Sequence, residues 1–84
     1  MSQEQDLLVI EDDAIFGRVL AQALTRRGYA VRHVANAEDA LAAAREHPPQ
    51  QAVLDLNLGG SSGLALIKPL LALSPQCRIV VLTG

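Results

Sequence analysis

Aromatic side chains are nearly absent from this chain: Phe16 and Tyr29 stand alone, and there is no tryptophan. A platform for stacking nucleic-acid bases is therefore excluded. Seven Lys and Arg residues against nine Asp and Glu leave a formal net charge of −2. With no basic patch, direct nucleic-acid binding by this segment is not expected. The single cysteine, Cys77, rules out an internal disulfide, and no metal-ligand spacing surrounds it. A reducing, cytoplasmic compartment fits. Residues 1–6 are polar and lack the apolar stretch of a signal peptide. No apolar run approaches the roughly 18 residues of a membrane span.

What remains is enough for one small domain. Half of the 84 residues are hydrophobic, and a chain of this size buries about 60–65% of its unfolded surface. The central stretch is Gln51-Ala52-Val53-Leu54-Asp55-Leu56. A short apolar run between turn signals suits a strand covered on both faces. The turn formers Asn57-Leu58-Gly59-Gly60-Ser61-Ser62-Gly63 follow it and read as a loop. Asp55 thus stands where a buried strand gives way to a loop. In open α/β sheets that carboxyl edge is where ligands bind.

The other elements fall around it. Residues 7–10 form a buried strand running straight into Glu11-Asp12-Asp13. Residues 14–27 are helical, with Phe16, Val19, Leu20, Ala23 and Leu24 in one apolar stripe. Gly28 is the stop. Residues 29–34 alternate as an edge strand does. Residues 37–47 form a second helix, with Asn36 as N-cap and Pro48-Pro49 as its end. A third helix covers about 64–73, where Pro69 predicts a kink or a late start. Residues 78–82 form a fourth strand. Strands alternating with helices predict a parallel sheet with right-handed crossovers.

Polar chemistry gathers at three strand ends: Glu11-Asp12-Asp13, Asp55 and Thr83. Parallel strands place these on one edge. Clustered carboxylates repel, so at least one holds its proton above the ordinary range. A hard divalent cation such as Mg²⁺ relieves the repulsion. A carboxylate with one free oxygen beside such an ion is a phosphoryl acceptor. Each residue alone has a plainer reading: Asp55 as an ordinary strand-end acid, Asp13 as a helix cap, Thr83 as structural. His33 and His47 lack a partner at ligand spacing and read as surface residues. Gly59-Gly60 lacks the residues of a phosphate-binding loop.

The motifs Leu7-Leu8-Val9-Ile10-Glu11-Asp12-Asp13, Val53-Leu54-Asp55-Leu56-Asn57-Leu58, Ser62-Gly63 and Val80-Val81-Leu82-Thr83-Gly84 occur in order. In these the chain resembles the receiver domain of two-component response regulators from about Asp6 onward. The resemblance implies a flavodoxin-like (CheY-like) α/β sheet of strand order 2-1-3-4, truncated before a fifth strand. It implies that Asp55 is the phosphoacceptor. Glu11 and Asp12 match the acidic pair that holds Mg²⁺, Asp12 directly and Glu11 through water. Asn57 matches the position whose backbone carbonyl completes the metal site, and Thr83 the switch hydroxyl. Asp13 is then free to cap the helix. The wording of residues 79–84 looks closest to redox-responsive transcriptional regulators.

Three departures stand out. Gly59 replaces a usual proline, which predicts a looser loop. Pro69 interrupts the third helix. The chain reads as a receiver over residues 1–84 that is incomplete at its carboxyl end, because receivers continue to a fifth strand with an essential lysine. Lys68 is the only lysine here and lies in the wrong element. The expected function is a phosphoryl-accepting signalling domain rather than an enzyme. It takes its phosphoryl group from a sensor histidine kinase and switches an output domain, DNA-binding in the parent. This 84-residue piece is expected to accept phosphoryl groups poorly or not at all. It is also expected to form a homodimer through residues 77–82. The alternative is a receiver-like interaction module that is not phosphorylated. A Mg²⁺-dependent phosphatase ranks below both, because Asn57 stands where such enzymes need a second acid.

Overall fold

The computed structural model describes residues 5–58 and 61–82. The elements run in the order β1 (Gln5–Ile10), α1 (Ala14–Arg26), β2 (Tyr29–Val34), α2 (Ala37–Glu46), β3 (Gln51–Asp55), β4 (Asn57–Leu58), β5 (Ser61–Ser62), α3 (Leu64–Leu73) and β6 (Arg78–Leu82). Four strands form a parallel sheet in the order β2-β1-β3-β6. That is the expected 2-1-3-4 arrangement, with β6 as the fourth long strand. Ile10 pairs with both Val34 and Leu54, and Asp55 pairs with Leu82. β1 and β3 therefore end level with one another at the sheet's centre.

The core lies on one face of the sheet. Leu8 and Ile10 of β1 and Ala52 and Leu54 of β3 meet Ala40 and Ala44 of α2 and Leu66 and Leu70 of α3. Small alanines let α2 lie close to the strands. Leu8, Ile10, Leu54 and Leu70 are fully buried, and each such side chain contributes about 1.5–3 kcal/mol relative to exposure. The far end of α3 is fastened to β3: buried Ser74 Oγ donates to the Pro49 carbonyl at 2.7 Å. At the amino edge of the sheet, Arg32 satisfies the carboxyl end of α2. It donates to the carbonyls of Ala43 (2.9 Å) and His47 (2.7 Å) and to Asp6 Oδ2 (2.9 Å).

On the other face α1 packs over β2 and β1, while Val80 of β6 is exposed. Asp13 caps this helix, accepting from the N–H groups of Ile15 and Phe16 at 3.0 Å each. Gly28, at φ +98°, ends it in the left-handed region that favours glycine. The buried stripe differs from the expected one. Gly17 is buried and Leu20, Ala21 and Leu24 are half-buried, whereas Phe16, Val19 and Ala23 are exposed. Apolar spacing marked several adjoining rows, and packing over β1 and β2 selected the row through Gly17.

Two local expectations are corrected, the second only as to a late start. The segment after Asp55 is not simply a loop: β4 and β5 form a two-residue antiparallel ladder, Asn57 against Ser62 and Leu58 against Ser61. A Gly-Gly pair between two such dipeptides is a hairpin signal. The third helix starts at Leu64 and runs through Pro69 to Leu73. Packing of Leu66 and Leu70 outweighs the one backbone donor that proline lacks. The expected looser turn at Gly59 lies outside the described residues.

Candidate functional site

The carboxyl edge of the sheet carries the site. Glu11 and Asp12 follow β1, and Asp55 ends β3 on the adjacent strand. The two strands are in register to their ends, so the side chains converge. One carboxylate oxygen from each of Glu11, Asp12 and Asp55 lies within 4.8 Å of the others. Asp12 is exposed, Asp55 half-buried, and Glu11 only 5% exposed.

The turn that presents these acids is held at several points. Glu11 N–H donates to the Val34 carbonyl of β2 at 3.0 Å. Its own carbonyl accepts from His33 Nε2 at 2.9 Å. Its carboxylate Oε1 accepts from the Asp13 N–H at 3.1 Å. Burial pushes the Glu11 carboxyl above its ordinary range. The Asp13 N–H pulls the other way, while a hydrogen bond with Asp55 and the charges of Asp55 and Asp12 add to the rise. The raised carboxyl expected from the sequence is Glu11, with burial the larger cause and the repulsion of Asp55 and Asp12 the smaller.

Asp55 is positioned from the opposite side by the start of α3. Gly63 N–H donates to the Leu56 carbonyl at 2.7 Å. A Cβ on Gly63 would run into the backbone carbonyl of Asp55. Leu56 N–H donates to the Leu82 carbonyl at 3.2 Å, which carries the β3–β6 pairing one residue past the acid. Asn57 opens β4, two residues beyond Asp55. Thr83 lies outside the described residues.

The donor set suits a hard divalent cation. All three groups offer carboxylate oxygens, and oxygens on one Mg²⁺ lie up to about 4.2 Å apart. Glu11, Asp12 and Asp55 would hold such an ion, each offering a carboxylate oxygen. A dication would also relieve the repulsion that Asp55 and Asp12 exert on Glu11. The arrangement is a cluster of three carboxylates at one sheet edge that could hold a metal ion.

Sequence reasoning found the acids and missed their supports. His33 is exposed, as expected of a surface residue, but its hydrogen bond to the acidic turn was not foreseen. Gly63 appeared only as part of a motif. A signal for Gly17 was present: a glycine inside a helical pattern is unfavourable by about 1 kcal/mol relative to alanine and asks for a packing reason.

Comparison with known proteins gives a consistent picture. The model of the response regulator receiver domain matches residues 7–84. The chain is 40% identical over 81 residues to the acid tolerance regulatory protein ActR of Sinorhizobium medicae (strain WSM419), covering 96% of this chain and 42% of that protein. It is 37% identical over 84 residues to the photosynthetic apparatus regulatory protein RegA of Cereibacter sphaeroides, covering 100% and 46%. A response regulator from Burkholderia pseudomallei, solved with a phosphorylated aspartic acid, calcium ion and citrate, is similar at a TM-score of 0.92 and 47% identity. That match covers 96% of this chain and 48% of the other. The chain spans about half the length of these relatives.

Proposed function

The chain belongs to the response regulator receiver domain family, and from that premise we propose that it is a phosphoryl-accepting signalling domain acting through Asp55. The carrying observation is the convergence of Glu11, Asp12 and Asp55 at one sheet edge. An Asp55 oxygen attacks phosphorus in the phosphohistidine of a sensor histidine kinase. The P–N bond breaks, the imidazole keeps the electron pair and takes a proton, and an aspartyl phosphate forms. Glu11, Asp12, Asp55 and the backbone carbonyl of Asn57 hold Mg²⁺, which when bound neutralises charge on the transferring oxygens. The Burkholderia relative, with its phosphorylated aspartate and calcium, supports both halves of this reading.

Buried Glu11 keeps its side chain fixed, and the Asp13 N–H orients it. Thr83 serves as the switch hydroxyl that meets the phosphoryl group. The added charge biases a two-state surface that controls an output domain, in our reading a DNA-binding one. The setting is cytoplasmic, in keeping with a chain in which no described helix is long and apolar enough to cross a membrane.

This 84-residue chain also self-associates along β6. Among the described residues β6 has β3 on one side only. Arg78 N–H and Leu82 C=O point to β3, so the groups of Ile79 and Val81 point away from it. Val80 and Val81 are exposed, and an apolar strand of this kind is a template for pairing.

Two measurements test the main reading. Mg²⁺ should raise the melting midpoint of the wild-type chain and not that of Asp12→Asn. Prolonged incubation with acetyl phosphate and Mg²⁺ should give a slow, partial gain of one phosphoryl group by intact mass, absent in Asp55→Asn. A gain that persists in Asp55→Asn overturns Asp55 as the acceptor in this chain.

A further inference from the structure

The turn that carries Glu11 and Asp12 is gripped from β2 on both sides of a single residue. The Glu11 N–H is taken by the Val34 carbonyl at 3.0 Å. The Glu11 carbonyl is taken by the His33 side chain at 2.9 Å. That carbonyl lies in the rigid peptide plane linking Glu11 to Asp12. Fixing its direction fixes where the Asp12 Cα departs, and with it the exposed carboxylate at the mouth of the site. A carbonyl only accepts, so His33 Nε2 carries a proton and the ring tautomer is set.

The His33 ring needs space to reach this carbonyl, and α1 supplies it. Gly17 is buried at the end of the first turn of that helix. A Cβ there would overlap His33 Nε2 and Cε1 and would come within 3.1 Å of Cδ2. The φ at Gly17 is not in the left-handed region, so the backbone does not require glycine. The helix gives up propensity at this position to admit the ring.

We propose that His33 is a positioning residue for the acidic pair, seated in a notch that Gly17 opens in α1, and that it sets the affinity of the site for a divalent cation. The inference rests on the Mg²⁺ reading given above. His33 does not touch the cation or the phosphoryl group; it acts through the Glu11–Asp12 peptide.

The test compares His33→Ala, His33→Gln, Gly17→Ala and the double variant Gly17→Ala/His33→Ala, reading Mg²⁺ affinity from amide NMR shifts and stability from thermal melts. Loss of one net hydrogen bond corresponds to about a fivefold change in an equilibrium. His33→Ala should therefore weaken Mg²⁺ binding about fivefold. The His33→Gln amide has similar reach and should restore affinity to within about twofold. Gly17→Ala alone should displace the ring and weaken both binding and stability. In the double variant, alanine improves α1 and stability should recover, while Mg²⁺ binding stays weak. That separation is one a merely structural role would not give. Unchanged affinity in His33→Ala, or affinity that recovers with stability in the double variant, overturns the proposal. If the wild-type chain shows no Mg²⁺ response, the metal reading fails. The positioning is then read without metal from the ring ¹⁵N shifts and from exchange of the Asp12 amide. A ring protonated on Nδ1 alone, or Asp12 exchange unchanged by His33→Ala, overturns it.

Discussion

Gly63→Ala is a single added methyl group with a consequence for both fold and site. The glycine sits at the N-cap of α3, at φ −63°, so alanine meets no backbone penalty there. The penalty is contact. The new Cβ would overlap the Asp55 carbonyl oxygen and approach the Asp55 carbonyl carbon and the Leu56 Cα to 3.1 Å each. All three are backbone atoms, so no side-chain rotation relieves the overlap. Either α3 lifts at its start or the end of β3 moves. Lifting α3 strains the 2.7 Å bond from Gly63 N–H to the Leu56 carbonyl and disturbs buried Leu66 one turn on. Overpacking of this kind costs about 1–3 kcal/mol, and a contact with backbone on every side belongs at the upper end. Domains near this size hold roughly 0.05–0.15 kcal/mol per residue, so the loss is a large share of the whole. At about 4–8 °C per kcal/mol, Tm should fall by about 10–20 °C. Because the overlap is with Asp55 itself, the Mg²⁺-induced rise in Tm should shrink as well. Gly28→Ala is the control. It has no atom within 4 Å of the new methyl group, so it should lower Tm through its left-handed φ and leave the Mg²⁺ response intact. Thermal melts with and without Mg²⁺ decide it. A Gly63→Ala chain that melts within a degree or two of wild type, with the same Mg²⁺ response, would refute the close packing of α3 on Asp55.

Other outcomes follow from single features. Glu11 has a folded-state pKa above its ordinary 4.5, so the folded state binds more protons than the unfolded between those values. Its contribution is fully present below 4.5 and is lost as pH rises through the raised value. In EDTA, urea midpoints of wild type minus Glu11→Gln should fall over that window, and Mg²⁺ should abolish the fall; a difference that rises with pH contradicts burial as the dominant cause. Asp13→Ala removes two bonds to the first turn of α1 and should cost about 1 kcal/mol, read by urea denaturation. Leu70→Ala empties a fully buried position between α3 and the sheet and should cost about 2–5 kcal/mol. Val81→Lys places a charge on the exposed, apolar β6; light scattering at high concentration should show wild-type dimer and variant monomer, and a monomeric wild type defeats β6 pairing.

The layers of the fold were legible because each rests on a local signal. β1 and β3 are runs of aliphatic residues ending in acid. α2 is bracketed by the Asn36 cap, which accepts from Asp39 N–H at 2.8 Å, and by Pro48-Pro49. The parallel order then follows from alternation of strands and helices. What spacing does not contain is which of several apolar rows a helix turns toward its sheet. In α1 the rows through Phe16 and through Gly17 are both small or apolar, and only the neighbouring strands choose between them. Pro69 does not delay the start of α3, because Leu66 and Leu70 anchor the helix on either side of it.

The site divides in the same way. Glu11, Asp12 and Asp55 could be brought together from sequence because parallel strands share a carboxyl edge, and charged side chains after aliphatic runs are conspicuous. The groups that aim them are inconspicuous. His33 sits on β2, twenty-two residues from the carbonyl it holds, and nothing in its own surroundings along the chain distinguishes it from an exposed edge-strand residue. Gly17 and Gly63 act by lacking a side chain, one to admit the His33 ring and the other to let α3 begin against Asp55. Such positions become visible from sequence only as costs without a local return: a glycine inside a helix, a helix start without a side-chain cap. In this chain both costs are met within one residue's reach of the acidic cluster, which is the place where a fixed carboxylate geometry would be worth that loss of helix stability.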